Sequence, residues 1–187
     1  FQVVGTDRRV GLFELAARQP DTSIYVDSTS SVGGPTWPNG CHICEVEIDP
    51  QTGAVQVVAY ANANDVGRVV NPMIVTGQLE GGAVQGIGQA LCEQVVYDPE
   101  SAQLLTGSLM DYALPRAADI VGPIATVLDQ STPCLHNPLG VKGVGELGTI
   151  GATPAAVNAV IDALARAGHG DAARQLQMPL TSDKIWG

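Results

Sequence analysis

The stretch GVKGVGELGTIG, Gly140 to Gly151, holds a single carboxylate, Glu146, in backbone that few side chains shield, and its only other charge is Lys142. Bare peptide N–H groups suit an anionic or highly polar ligand, and a glutamate held among them can serve as a general base where partial burial tunes its pKa. Within the stretch, Gly143-Val144-Gly145-Glu146-Leu147-Gly148 spells GxGxxG. A dinucleotide fingerprint needs a buried strand running straight into the glycines and a helix opening on them. Here His136-Asn137-Pro138-Leu139-Gly140 is turn-like, the next helix is expected from Thr153-Pro154, and the acidic Asp162 falls inside that helix. Nicotinamide binding is set aside on these grounds.

A second glycine-rich stretch, MIVTGQLEGGAVQGIGQALCEQ, follows Asn71-Pro72, a helix N-cap with proline at the first helical position. Gly77, Gly81, Gly82, Gly86 and Gly88 all fall in this expected helix, from Pro72 to about Gln94. Each costs about 0.8–1 kcal/mol relative to alanine in a helix interior. Two explanations serve: another backbone packs against the bare surface, or a ligand approaches it closely. Gln78, Gly82, Gln85 and Gln89 are spaced along one stripe, either an exposed polar face or a row of neutral amides around a many-oxygened ligand.

The cysteines are Cys41, Cys44, Cys92 and Cys134. Cys41 and Cys44 lie in CHICEVEID, whose alternation is that of a strand, so residues three apart point to opposite faces and do not form a zinc or redox pair. Structural thiols in a reducing compartment are expected, with the cytoplasm as location and the periplasm as alternative. A formal charge of −10 and a pI near 4.4 argue against a nucleic-acid partner, which needs a clustered basic face. No apolar run long enough for a membrane span is read from the sequence.

The positioning elements follow from turn and periodicity signals. Arg9 to Ala17 reads as a short helix, Thr22 to Ser31 as extended chain, and Gly33 to Gly40 as a loop. Two hairpins are expected, turning at Asp49-Pro50-Gln51-Thr52-Gly53 and at Asp98-Pro99-Glu100-Ser101-Ala102, the second with alanine where the first has glycine. The helix from Thr153-Pro154 carries Val157, Val160, Ile161 and Leu164 on one face and stops at Gly168. Thr181 is a candidate cap for a final short turn. The fold class is α+β, antiparallel hairpins packed against helices.

The strings DVGRVVNP from Asp65, GQLEGGAVQGIGQALCE from Gly77, LTGSLMDYALP from Leu105 and NPLGVKGVGELGTIGATPAAVNAVIDAL from Asn137 stand in order over nearly the whole chain. Together they resemble the C-terminal part of the molybdopterin-binding large subunit of the xanthine dehydrogenase, aldehyde oxidase and carbon monoxide dehydrogenase-like molybdenum hydroxylases. The resemblance implies that residues 1–187 form the C-terminal portion of a molybdopterin-binding domain. The implied activity is hydroxylation of an aldehyde or of an N-heteroaromatic carbon, with oxygen drawn from water. It makes Glu146 the general base at the molybdenum centre, and Gln78 and the backbone of Lys142, Gly143, Val144 and Gly145 the cofactor contacts.

The implied cofactor is molybdenum–molybdopterin in its cytosine dinucleotide form, with a 2Fe-2S cluster and FAD on partner domains or subunits. The implied partners are the remainder of the large subunit, an iron–sulfur subunit, an FAD or cytochrome electron-acceptor subunit and a small-molecule substrate, assembled as a dimer of heterotrimers. Family members are several times longer, so the chain alone is expected to hold part of the cofactor surface and to be inactive by itself. The residues after Glu146, Leu147-Gly148-Thr149-Ile150-Gly151, differ from those of carbon monoxide oxidisers. The alternative is a non-catalytic interaction or assembly domain in which the glycines serve helix packing.

Overall fold

The structure is a computed structural model that describes residues 1–120 and 122–187. It divides into two compact units, Phe1–Val32 and Gly33–Gly187. In the first, a bridge between Gln2 and Arg9 closes a turn through Gly5, and α1 spans Leu12–Ala17, starting later than the expected Arg9. Residues 23–32 have no regular secondary structure, and no residue of this unit is buried.

The second unit is built on β1 (Asn39–Ile48), β2 (Val55–Asp65) and β3 (Ile124–Asp129), in the order β1-β2-β3. Strands β1 and β2 pair antiparallel from Asn39↔Asp65 to Ile48↔Val55, with a bulge at Glu45/Val46. Their turn is the expected one: the Asp49 carboxylate accepts from the Gln51 N–H at 2.8 Å and the Thr52 hydroxyl at 2.9 Å, and Gly53 takes a φ of +71°. As the alternation requires, His42, Cys44, Val46 and Ile48 are half-buried while Cys41, Ile43, Glu45 and Glu47 face outward.

Strand β3 was not anticipated, and it runs parallel to β2, which adds a parallel pair to the expected antiparallel arrangement. A parallel neighbour needs a long crossover, and the connection supplies one through α2 (Pro72–Leu91). The second expected hairpin shrinks to one bridge, Tyr97↔Leu104. Its turn survives, but the Val96 N–H goes to the Thr106 hydroxyl at 2.9 Å, so the strand does not extend. Ala102 sits in the left-handed region at φ +57°. Because that conformation costs a Cβ-bearing residue about 1 kcal/mol, Ala102→Gly is expected to raise the thermal midpoint by a few degrees.

Helix α2 begins at the Asn71 cap, whose side chain accepts from the Ile74 N–H at 3.2 Å. Helix α3 spans Leu147–Arg166, six residues ahead of the expected Thr153 start, and so takes in Pro154 as an interior residue. Proline there forfeits one helical hydrogen bond, but the first turn is held by tight packing on α2. It ends as expected at Gly168, with φ +94° and the Gly168 and His169 N–H groups returning to Ala165 O and Leu164 O. Short helices α4 (Gly170–Ala173) and α5 (Ser182–Trp186) complete the unit, α5 with Thr181 at its N-cap but without a side-chain cap bond.

The α2–α3 crossing accounts for three of the seven glycines in these two helices. A Cβ on Gly82 would lie 3.0 Å from Gly148 Cα, one on Gly86 2.7 Å from Ala152 Cβ, and one on Gly148 2.5 Å from Leu79 O. The backbones therefore touch, and Ala83, Ile87, Ala90, Ala152 and Ala156 join Val57 and Tyr60 of β2 in the core. The Thr149 hydroxyl lies 3.0 Å from Gly82 O and the Thr153 hydroxyl 3.2 Å from Gly86 O, bonds that only bare helix backbone permits. Helix α3 has the length and apolar character of a membrane span, yet its stripe of Gly148, Ala152, Ala156 and Val160 is buried in this packing.

By contrast, a Cβ on Gly77 or Gly81 meets nothing within 4 Å. Alanine at the two classes of position should act in opposite directions. Gly148→Ala is expected to destabilise by about 1–3 kcal/mol through overpacking, and Gly81→Ala to stabilise by about 0.8–1 kcal/mol through helix propensity. Denaturant midpoints of the two variants check this.

Candidate functional site

The Glu146 loop is anchored at its near end to the close of β2. Gly140 O accepts from the Arg68 N–H at 2.9 Å and the Cys134 N–H at 3.0 Å, and the Lys142 N–H donates to Val66 O at 2.9 Å. Gly67 and Gly140 both have positive φ, and a Cβ on Gly67 would collide with Gly140 O, so this junction requires glycine. The Lys142 ammonium meets Asp65 Oδ2 at 2.6 Å, with side chains only 11% and 14% exposed. Burial pushes the Asp65 carboxyl up, but bonds from Lys142, the Thr132 hydroxyl and the Gly67 N–H outweigh it and hold the group below the ordinary carboxylate value. The Lys142 side chain is thus a strut, and only its backbone is available to a ligand.

Beyond the anchor the loop opens. The N–H groups of Gly143, Val144, Gly145 and Glu146 make no hydrogen bond among the described residues, and a Cβ on Gly143 would meet nothing within 4 Å. They border a cleft of about 630 Å³, whose other walls are Thr36–Gly40, His42, Ile150 and Gly151. The two glycine-rich stretches meet here: a Cβ on Gly145 would lie 4.0 Å from Gln78 Nε2. Gln78 is exposed and bonded to nothing among the described residues, whereas Gln85 and Gln89 turn to the Thr149 and Thr153 hydroxyls, each at 3.2 Å. The amide stripe therefore splits, with one member beside Gly145 of the loop and two on the helix crossing.

Glu146 is the N-cap residue of α3, with φ −107° and ψ −6°, and its side chain makes no cap bond. It stands exposed, so the partial burial expected of a tuned base is not supplied by this chain. The arrangement offers consecutive peptide donors and a free carboxylate on one concave surface, with a neutral amide beside it, which fits a flat ligand rich in acceptors.

The family model for the molybdopterin cofactor-binding domain matches residues 9–121. The chain belongs to this family. The match ends before the Glu146 loop, but relatives align through more of the chain. Over all of it, the chain is 36% identical to the 6-hydroxypseudooxynicotine dehydrogenase complex subunit gamma of Paenarthrobacter nicotinovorans, covering 24% of that protein. It is 41% identical, over 81% of its length, to the nicotine 6-hydroxylase large subunit of the same organism, covering 18%. Among solved structures, the reconstituted CO dehydrogenase of Oligotropha carboxidovorans superposes on 80% of the chain with a TM-score of 0.70 and 36% identity, again 18% of the larger chain. The chain thus spans a quarter or less of the curated relatives it matches.

In this molybdopterin-binding domain the bare loop N–H groups, the open space at Gly143 and the Gln78 amide are the features that fit the family's cofactor. For Gly82, Gly86 and Gly148 the first of the two explanations, packing by another backbone, holds, because their bare faces are filled by the partner helix. The Thr36–Gly40 wall was missed. Its sequence reads as a plain loop, and the available signal was an aromatic, Trp37, between prolines just before a strand. His42 was missed too, since the alternation of CHICEVEID marks it only as a strand residue on the same face as Cys44. Its Nδ1 lies 2.6 Å from the Tyr60 hydroxyl, and burial holds its pKa below the ordinary imidazole value, with the neighbouring Asn64 side chain opposing it. Burial pushes the Cys44 thiol up to about 11, which leaves it protonated and unreactive at neutral pH, in keeping with a structural role.

Proposed function

We propose that this chain forms the Glu146-bearing wall of a molybdenum hydroxylase active site, in a larger enzyme that hydroxylates an N-heteroaromatic carbon or an aldehyde. The observation that carries the reading is the gathering of the unbonded Gly143–Glu146 N–H groups and Glu146 on one cleft, with the Gln78 amide beside Gly145. The molybdenum–molybdopterin group, when bound, supplies the two-electron redox chemistry and the site at which water-derived oxygen is activated. Gln78 and the peptide groups of Lys142 to Gly145 would hold the pterin, in the cytosine dinucleotide form. Glu146 would take up a proton at its carboxylate as the reaction begins.

The activity for which the nicotine 6-hydroxylase relative is named favours the heteroaromatic half of this substrate class. Electrons would leave through an iron–sulfur partner to FAD or a cytochrome subunit, within a dimer of heterotrimers in the cytoplasm. Gln78→Ala in the assembled enzyme tests the binding half of the proposal. Loss of one neutral hydrogen bond to the cofactor weakens retention by about 1 kcal/mol, or severalfold. Molybdenum and pterin content after purification should fall accordingly while the amount of folded subunit stays constant. Unchanged content would remove Gln78 from the site.

A further inference from the structure

Beneath α3 the sheet carries a row of polar side chains that the cleft does not use. His42, Asn62 and Thr126 are register partners across β1, β2 and β3, so their side chains share one face, and Asn64 lies two residues along from Asn62. Asn62 and Asn64 are 3% and 1% exposed. They bond to each other, Asn64 Nδ2 to Asn62 Oδ1 at 2.5 Å. Among the described residues, four buried atoms are left without a partner: His42 Nε2, Asn62 Nδ2, Asn64 Oδ1 and Thr126 Oγ1.

Turning both amides over does not help. One amide–amide bond re-forms with donor and acceptor exchanged, and one polar atom of each asparagine is again left over. Unmatched buried polar groups are costly, and four together would take up much of the net stability of a marginally stable domain. Clustered donors and acceptors of this kind are the surroundings in which buried water is held, with about three bonds to each molecule.

Two members of the row abut residues of the cleft wall. His42 itself lines the cleft, and its ring lies against Gly151 of α3, where a Cβ would overlap it. A Cβ on Gly40, also a cleft residue, would lie 2.6 Å from Asn64 Oδ1. At these two places the row packs directly against glycine backbone of the cleft wall.

We infer that the His42–Asn62–Asn64–Thr126 row is an internal water-binding site beside the wall of the Glu146 cleft. Its existence does not rest on the proposed function. The test is a crystal structure of the assembled enzyme containing this chain, at a resolution that orders other buried water. Ordered water is expected within about 3.2 Å of Asn64 Oδ1, Asn62 Nδ2 and His42 Nε2. A dry row, or one closed by direct side-chain bonds, overturns the inference. The near-isosteric Thr126→Val variant should lose the water nearest that position and keep the rest. Retention of the full set in that variant would overturn the part given to Thr126. Neither result depends on whether Glu146 is the base.

Discussion

Glu146→Gln in the assembled enzyme is expected to lower kcat by about two to four orders of magnitude, the range by which a positioned general base accelerates proton transfer. Cofactor content should be unchanged. Glutamine keeps the size of the side chain and its ability to accept a hydrogen bond, and removes only the capacity to take a proton at neutral pH. The change is also gentle on the fold. Glu146 is exposed, makes no cap bond, and contributes to α3 at most the favourable interaction of a negative charge with a helix N-terminus, about 0.3–1 kcal/mol. KM should move little, because the binding surface here is backbone and amide. Steady-state kinetics with metal and pterin analysis on the same preparation read all of this. Turnover near the wild-type rate at full cofactor content would remove Glu146 as base and favour a purely structural role for the chain.

What the sequence reveals about this site depends on whether the signal is local. Asn71-Pro72 and Gly168 mark helix ends through capping chemistry that acts within a few residues, and both stand where they were expected. The β1–β2 hairpin is local in the same sense, its turn chemistry lying within Asp49–Gly53. The start of α3 is different. Thr153-Pro154 carries the local signal, yet the helix begins at Leu147 because Gly148 and Ala152 pack directly on α2, a contact between segments far apart in sequence. Strand β3 is likewise defined by its parallel partner, which no neighbouring residue announces.

The same distinction separates the glycines. Composition shows that α2 has too many for a free helix, but Gly77 and Gly81 cannot be told from Gly82 and Gly86 until the second helix is in place. The loop itself was legible as bare backbone around one carboxylate. That Lys142 turns away to Asp65 was not, since the two lie 77 residues apart. The cleft's opposite wall, from Thr36 to Gly40, comes from another distant segment and was invisible for that reason.

Lys142→Met should be the most destabilising of the single changes considered, by about 3–5 kcal/mol, because it strands a largely buried carboxylate. Asp65 would keep the Thr132 hydroxyl and the Gly67 N–H, but its charge would have no counterion. Adding Asp65→Asn to the same chain removes that charge and should recover most of the loss, and the double-mutant cycle isolates the pair from the separate cost of each substitution. The pH dependence has a definite sign. The folded carboxyl lies below its ordinary value, so the pair's contribution is complete above the unfolded value of about 3.9 and fades as pH falls through the folded one. The gap between wild type and Lys142→Met should therefore be widest near neutrality and narrow below about pH 4. Urea midpoints across that range measure it. A gap independent of pH would mean that Lys142 stabilises the loop through its alkyl stem and its backbone bond to Val66 O, with the ion pair contributing nothing. Because that strut sets where the Gly143–Glu146 backbone leaves β2, Lys142→Met should also loosen the cleft wall and lower cofactor retention, although the lysine side chain itself never reaches the cleft.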